Sequence, residues 1–463
     1  MRATLVTRID EWTLGVLPRF NQQIPTGQAH VPDMVAAMNS MLTDMPSADT
    51  FSLLQKKQLL VLLGIWGSSA VRHSQERSPY LRDNDPSEIL RNISVGGRPV
   101  TLKSYFRQLA DSSATGHPYR DAYASLVRWG TPASAAFWNG EKLVELPSVF
   151  PGGPARTYTD DPGEHLILEL FKRAETLERA ANLVVEPLWA GSEKCSSREA
   201  QERLFIATNM LLGVHRLFLD FPQGDARGKL TVDHFVDVFR QYAVHWEIGD
   251  VPPSGPQDVE FVSRDLMSGF GTDSYRRHVW RIFPGLLAEE RDRLRNAMDR
   301  PSLPELLMTE AGVTGEQLTA ASTAELSEMV RTFPSFASLF YFLNAGARLS
   351  AIHLAIAKKY LFKEIRARQR RLAEDSAVVP NDAGITGLEE KKLDELHRAR
   401  HQHFLRTLSR ISHADLQELS RVRPVRQLTS QQARDLLGLG QGPDEHRFGA
   451  VVGESGRSVA RHL

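Results

Sequence analysis

His353 has the surroundings best suited to a chemical task in this chain. It lies in the run Asn344–Ala357, which reads as helix. At 3.6 residues per turn its face also carries Gly346, Ser350 and Ala357, all small. An imidazole with small neighbours above and below can meet a broad flat group lying against the helix. A porphyrin is such a group, and histidine is a common axial ligand of its iron. The same spacing suits a core histidine hydrogen-bonded to nearby backbone, and spacing alone does not separate the two. Arg240, in Phe235–Tyr242, offers a planar fork for a carboxylate, or an ordinary surface ion pair. His165 has Leu168 at i+3, which argues for burial, and Glu169 at i+4, which argues for water. His397 and His401 have helical i, i+4 spacing that a metal could use. Their neighbours Arg398, Arg400 and Gln402 read instead as a solvated basic face. The dinucleotide, phosphate-loop, zincin and nucleophile-elbow motifs are absent.

The elements that must position these residues are helical. Apolar positions recur with helical period, and alternating patterns are scarce. The expected fold is all-α, with a smaller N-terminal helical domain over 1–150 and a large helical bundle over 151–415. A C-terminal extension over 416–463 turns Gly-, Arg- and Ser-rich beyond Gly438 and reads as partly disordered. Residues 140–160, with Pro147, Pro151, Gly152, Gly153 and Pro154, read as the linker. Asp161-Pro162-Gly163-Glu164 predicts a helix start: Asp as N-cap, Pro at the first position, Glu three residues past the cap. Further helices are expected at Val31 to His73 (two), from Tyr119 to before Gly130, Ser197–Asp220, Thr231–Trp246, Pro256–Phe270, Asp273–Ile282 and Leu287–Met298. A long helix from Phe336 to about Leu372 and a charged one from Leu388 to Ile411 complete the set.

With 463 residues and 41% hydrophobic content, the chain can bury a large core. Its 56 basic and 56 acidic side chains balance, which gives no support to a nucleic-acid partner. A lone cysteine, Cys195, excludes an intramolecular disulfide and fits a reducing cytoplasm. The apolar runs are broken well short of a membrane span, so a soluble cytoplasmic protein is expected.

The motifs, taken in order, resemble those of the haem-dependent tryptophan/indoleamine 2,3-dioxygenase superfamily. Leu349–Leu361, with His353-Leu354 and Lys359-Tyr360, looks like that family's proximal-histidine helix. Phe235–Tyr242 resembles the helix whose arginine binds the substrate carboxylate, and Arg240 falls on that arginine. Ser254-Gly255-Pro256-Gln257 resembles the small-residue loop lining the haem pocket. Arg281-Ile282-Phe283-Pro284 stands where a recurrent helix end occurs. Gly384-Ile385-Thr386-Gly387 is similar to the loop that closes over substrate. Glu164–Glu169 and Val127–Pro132 bring the chain nearest to the branch that acts in pyrrolnitrin assembly, that of monodechloroaminopyrrolnitrin synthase.

The resemblance implies haem b held by His353, with Ser350, Ser254 and Gly255 around the cofactor. It places Tyr123, Leu126, Glu164, His165 and Leu168 on the distal wall and Arg240 on a substrate carboxylate. Dioxygen and a small aromatic or indole compound would be the reactants. The chain departs from the ring-opening enzymes on the distal helix, where Glu164, His165 and Leu168 replace a serine and phenylalanines. Ser350 stands where the family has an arginine, and His278 where it has that arginine's acidic partner. Three functions follow as expectations: an indole or tryptophan oxygenase, an indole-rearranging haem enzyme, or a helical binding protein without catalysis. An oligomer is compatible with all three.

Overall fold

Local capping signals set the helix starts. The computed structural model describes residues 4–97, 99–132, 137–138, 143–221, 230–375, 390–400 and 404–420. Ser52 and Gln55 form a reciprocal capping box that begins helix α1 (Leu53–Arg77). This helix is buried almost all round, and α2 (Leu102–Ser112) packs against it. Asp161 caps α3 (Pro162–Trp189) by accepting from the Gly163 amide at 2.7 Å. Ser197 caps α4 (Arg198–Asp220). Asp258 starts α5 (Val259–Met267), and Thr272 starts α6 (Asp273–Ile282). The long apolar helix α7 (Ser335–Ala357) runs through a π-helical turn, Lys358–Phe362, into α8 (Lys363–Asp375). Helix α9 (Glu390–Ala399) follows. The described strands are two short antiparallel pairs, Ser94–Val95 with Val100–Thr101 and Phe137–Trp138 with Leu143–Val144. The fold is all-α.

Two cores result. In the larger, α7 packs on α4 and α4 on α3. Ala180, Ala181, Ala207, Ala337 and Ala347 keep the backbones close, while Leu177, Leu211, Phe336 and Phe342 fill the space between. Each such large side chain contributes about 1.5–3 kcal/mol by leaving water. The second core gathers around α1 and α2. It also takes in Tyr158, Tyr242 and Trp246 from beyond residue 150. Tyr158 stacks on Tyr242 with ring centroids 4.2 Å apart. Trp246 presses on α1 at Gly67, where a Cβ would come within 2.3 Å of its ring, so only glycine fits. The helical run Ser335–Arg368 has the length and hydropathy of a membrane span, but 56% of its most apolar window is buried inside the protein, as in a core helix.

Three segments depart from the helices expected. Thr231–Trp246 is not one α-helix but a π-helical turn, His234–Val238, followed by a 3₁₀ turn, Phe239–Tyr242. The Gln241 side chain donates to the Val236 carbonyl at 2.8 Å across the break. The helix expected from Tyr119 begins only after Ala122 and is π-helical, Ala124–Trp129. Before it, buried Arg120 holds both Asp121 and Asp250 and bends the chain. The charged helix expected to Ile411 ends at Ala399, and Phe404–Leu408 forms a separate element. The loop 384–387, His401 and the chain beyond residue 420 lie outside the described residues.

Candidate ligand cleft around His353

Helices α3, α4, α5, α6, α7 and α9 surround a cleft enclosing about 970 Å³, open solvent included. Helix α7 supplies Leu349, Ser350, His353, Leu354 and Ala357 to one wall. The helical face read from the sequence is thus the face that lines the cleft. Gly346 lies outside it: a Cβ there would meet Arg264 at 3.6 Å. Two π-helical turns border the site, one directly after Tyr123 and one directly after Ala357. Such turns shift side-chain register within a helix and recur at functional sites.

His353 sits between Phe218 and Phe261, each with its ring centroid 5.9 Å away. Among the described residues its imidazole makes no hydrogen bond. The ordinary core histidine, pinned to backbone, is therefore not what the fold builds here. Burial pushes its pKa down to about 4, and the Arg400 and Arg264 charges push the same way. The ring is neutral near pH 7, with a nitrogen lone pair to offer.

Beyond His353 lies a buried ionic group. Glu178 accepts from Arg264 at 3.2 Å through one carboxyl oxygen, and its other oxygen is buried without a partner. Arg264 also donates to Asp265 at 3.1 Å, and Arg400 donates to the same carboxylate. Burial raises the Glu178 pKa to about 8 against the lowering effect of Arg264. Asp258 caps α5, accepting from the Glu260 and Phe261 amides at 2.9 and 3.1 Å. Burial outweighs those two bonds and raises its pKa to about 6. Both Glu178 and Asp258 line the cleft.

The fold gathers some of the sequence-derived site residues here and leaves others elsewhere. His353, Ser350, Gly255 and Tyr123 line the cleft. Ser350 spends its hydroxyl proton on the Gly346 carbonyl at 3.0 Å. Ser254 stands beside Gly255 but does not line the cleft, and its hydroxyl is buried without a hydrogen bond. Leu168 packs behind the wall with Tyr123, Val127 and Ala155. Leu126 belongs to the N-terminal core. Glu164 does not face the cleft either. Its carboxylate is fully buried and accepts from the Tyr158 and Thr159 amides, the Thr159 hydroxyl and His234. It ties the preceding loop to α3 rather than closing a box on Asp161. His165 turns outward to Asp160 at 2.8 Å. Arg240, half-buried on the 3₁₀ turn, is also outside the lining.

Lining groups that the sequence did not single out as site residues include Glu178, Phe218, Phe261 and Arg400. Asp258 ends the run that resembles the haem-pocket loop, and Arg400 reads only as part of a basic run. No group of three or more His, Cys, Asp or Glu side chains among the described residues could hold a bare metal ion. No known family model matches the chain, and no curated protein matches it significantly.

Proposed function

We propose that the cleft holds haem b through His353 and that the chain is a haem-dependent oxygenase of small aromatic or indole compounds. The observation that carries this reading is the neutral, unbonded imidazole of His353 in a cleft lined mainly by apolar side chains. A haem iron needs only one protein ligand, so the lack of a multi-residue metal cluster does not count against it. The small lining residues Ser350, Ala357 and Gly255 suit a broad flat occupant, and a Cβ at Gly255 would meet only open space. When bound, haem would supply an iron that binds and activates dioxygen.

The chain's own residues would do the rest. Phe218 and Phe261 fix the plane of the His353 ring and keep water from it. Tyr123 and Phe171, 6.5 Å apart, offer an aromatic wall to a planar substrate. Glu178 and Asp258, both held towards their neutral acid forms, can hold or return a proton at the cleft wall. The polar pair Glu164 and His165 is engaged elsewhere. This favours proton chemistry unlike that of the ring-opening enzymes, and hence an oxidation or rearrangement in specialised metabolism over formation of a kynurenine-type product. Absorption spectroscopy of the purified protein titrated with haemin tests the reading. A Soret band lost in His353→Ala is expected; no band, or one unchanged by the substitution, overturns it. Product mass after turnover with tryptophan then separates ring opening, which adds two oxygens, from the other outcomes.

A further inference from the structure

Of the charged side chains at the cleft, Arg400 is the one placed to receive an anion. It directly follows helix α9, is 7% exposed, and lines the cleft beside Leu396 and His397. Its Nε and Nη2 hold Asp265, and its guanidinium lies 5.6 Å from the centre of the Phe261 ring. The fork is thus held flat and oriented before any ligand arrives. Its Nη1 has no hydrogen bond among the described residues and is not among the buried atoms lacking a partner. Nη1 thus keeps accessible surface, on a side chain that lines the cleft.

Charge balance points the same way. Arg264 and Arg400 bring two positive charges to this end of the site. Asp265 answers one, held between both arginines. Among the described residues Glu178 forms an ion pair with Arg264 alone, and burial favours its uncharged form. Two guanidinium groups thus share one carboxylate, which leaves Arg400 able to meet a further acceptor. The rest of the lining, Phe171, Phe218, Phe261, Leu349, Leu354 and Leu396, asks for a flat apolar body.

We propose that Arg400 binds a carboxylate carried by a flat apolar ligand in the cleft, in the role that the sequence resemblance gives to Arg240. The assignment rests on the cleft being a ligand site, and it stands whether or not the ligand is haem. Two sources fit the chemistry: a propionate of the porphyrin, or the acid group of an aromatic substrate. A purely structural Arg400, pinning α9 to Asp265, would hold the site's shape without distinguishing an acid from its ester.

The test uses the full chain and two matched pairs of probes. Haemin and its dimethyl ester are titrated by Soret absorption, and indole-3-propionate and its methyl ester by calorimetry. Wild type should prefer the acid in at least one pair by about ten- to a hundredfold, the range for a charge-assisted hydrogen bond. Arg400→Gln should bring the acid down to the affinity of the ester and leave the ester unchanged, and Arg400→Lys should restore part of the preference. An effect confined to the porphyrin pair assigns the carboxylate to a propionate, and one confined to the indole pair assigns it to substrate. If haemin fails to bind wild type, the haem reading falls, and the indole pair still tests Arg400. Equal binding of acid and ester by wild type, loss of both alike in Arg400→Gln, or no binding of either acid overturns the proposal. The wild-type acid-to-ester comparison needs no variant to fold.

Discussion

Two histidines, His117 in the N-terminal core and His353 at the cleft, are both kept neutral among aromatic rings, and the molecule uses them differently. Burial brings both His117 and His353 down to about 4. His117 sits in the N-terminal core with Phe106 and Trp129 against its ring, and its Nδ1 donates to the Pro118 carbonyl at 2.7 Å. His353 has aromatic flanks of the same kind, no hydrogen bond among the described residues, and a cleft in front of it. Burial sets the charge of the ring; hydrogen bonding decides whether the neutral ring serves the fold or is left for a ligand. The contrast is particular to the two rings. In the N-terminal core Trp66 donates to Thr13, Trp246 to Ser68, and Asn21 to Ser69 and the Tyr158 carbonyl. Among the described residues, buried polar atoms without a partner occur in both regions: one oxygen of Glu178 and the Nε of Arg264 near the cleft, and His117 Nε2 in the N-terminal core.

The largest expected effect comes from breaking the ionic group behind the cleft. Arg264→Met removes a fully buried cation from Glu178 and Asp265 and should cost about 3–5 kcal/mol, read as a fall in the urea midpoint. A loss under about 1 kcal/mol would mean that the cleft end of the molecule does not depend on this group. Next is the pair of histidine variants. His353→Ala should weaken haemin binding by at least about a hundredfold, since outer-shell partners of metal ligands already cost up to that much. His117→Leu should leave haemin binding as it is. Equal effects would erase the difference drawn between the two rings.

An acid titration gives a smaller effect. The folded pKa of His117 is depressed from about 6.5 to about 4, so its contribution is fully present above about pH 6.5 and is lost as pH falls towards 4. Between pH 7 and pH 4 the unfolding free energy of His117→Leu should therefore gain about 2 kcal/mol on wild type. Parallel pH profiles would show that burial of this ring is not a source of acid lability. The smallest effect belongs to Lys358–Asp394, the half-exposed ion pair at 2.7 Å that joins the end of α7 to α9. Lys358→Ala should cost no more than about 0.5 kcal/mol, and high salt should hide it.

Much of the fold was legible in short-range pattern. The cap at Asp161, the helix start at Ser197 and the two helices between Val31 and His73 stand close to where the sequence puts them. So does the small-residue face of His353. Helix starts and faces depend on residues three and four apart, which any stretch of sequence displays. The site's polar chemistry was not legible in this way. Glu164 has the position of a capping-box residue, yet its oxygen goes to His234, 70 positions away. Arg400 sits in a run that reads as solvated, and Asp265, 135 positions back, draws it inside. Arg240, which the resemblance puts on a substrate carboxylate, stays outside the cleft lining. Sequence alone thus determined the all-helical architecture and the face that His353 presents. Tertiary structure decided which charges meet that face, because a buried charge takes the partner that packing brings near, and packing joins residues far apart in the chain.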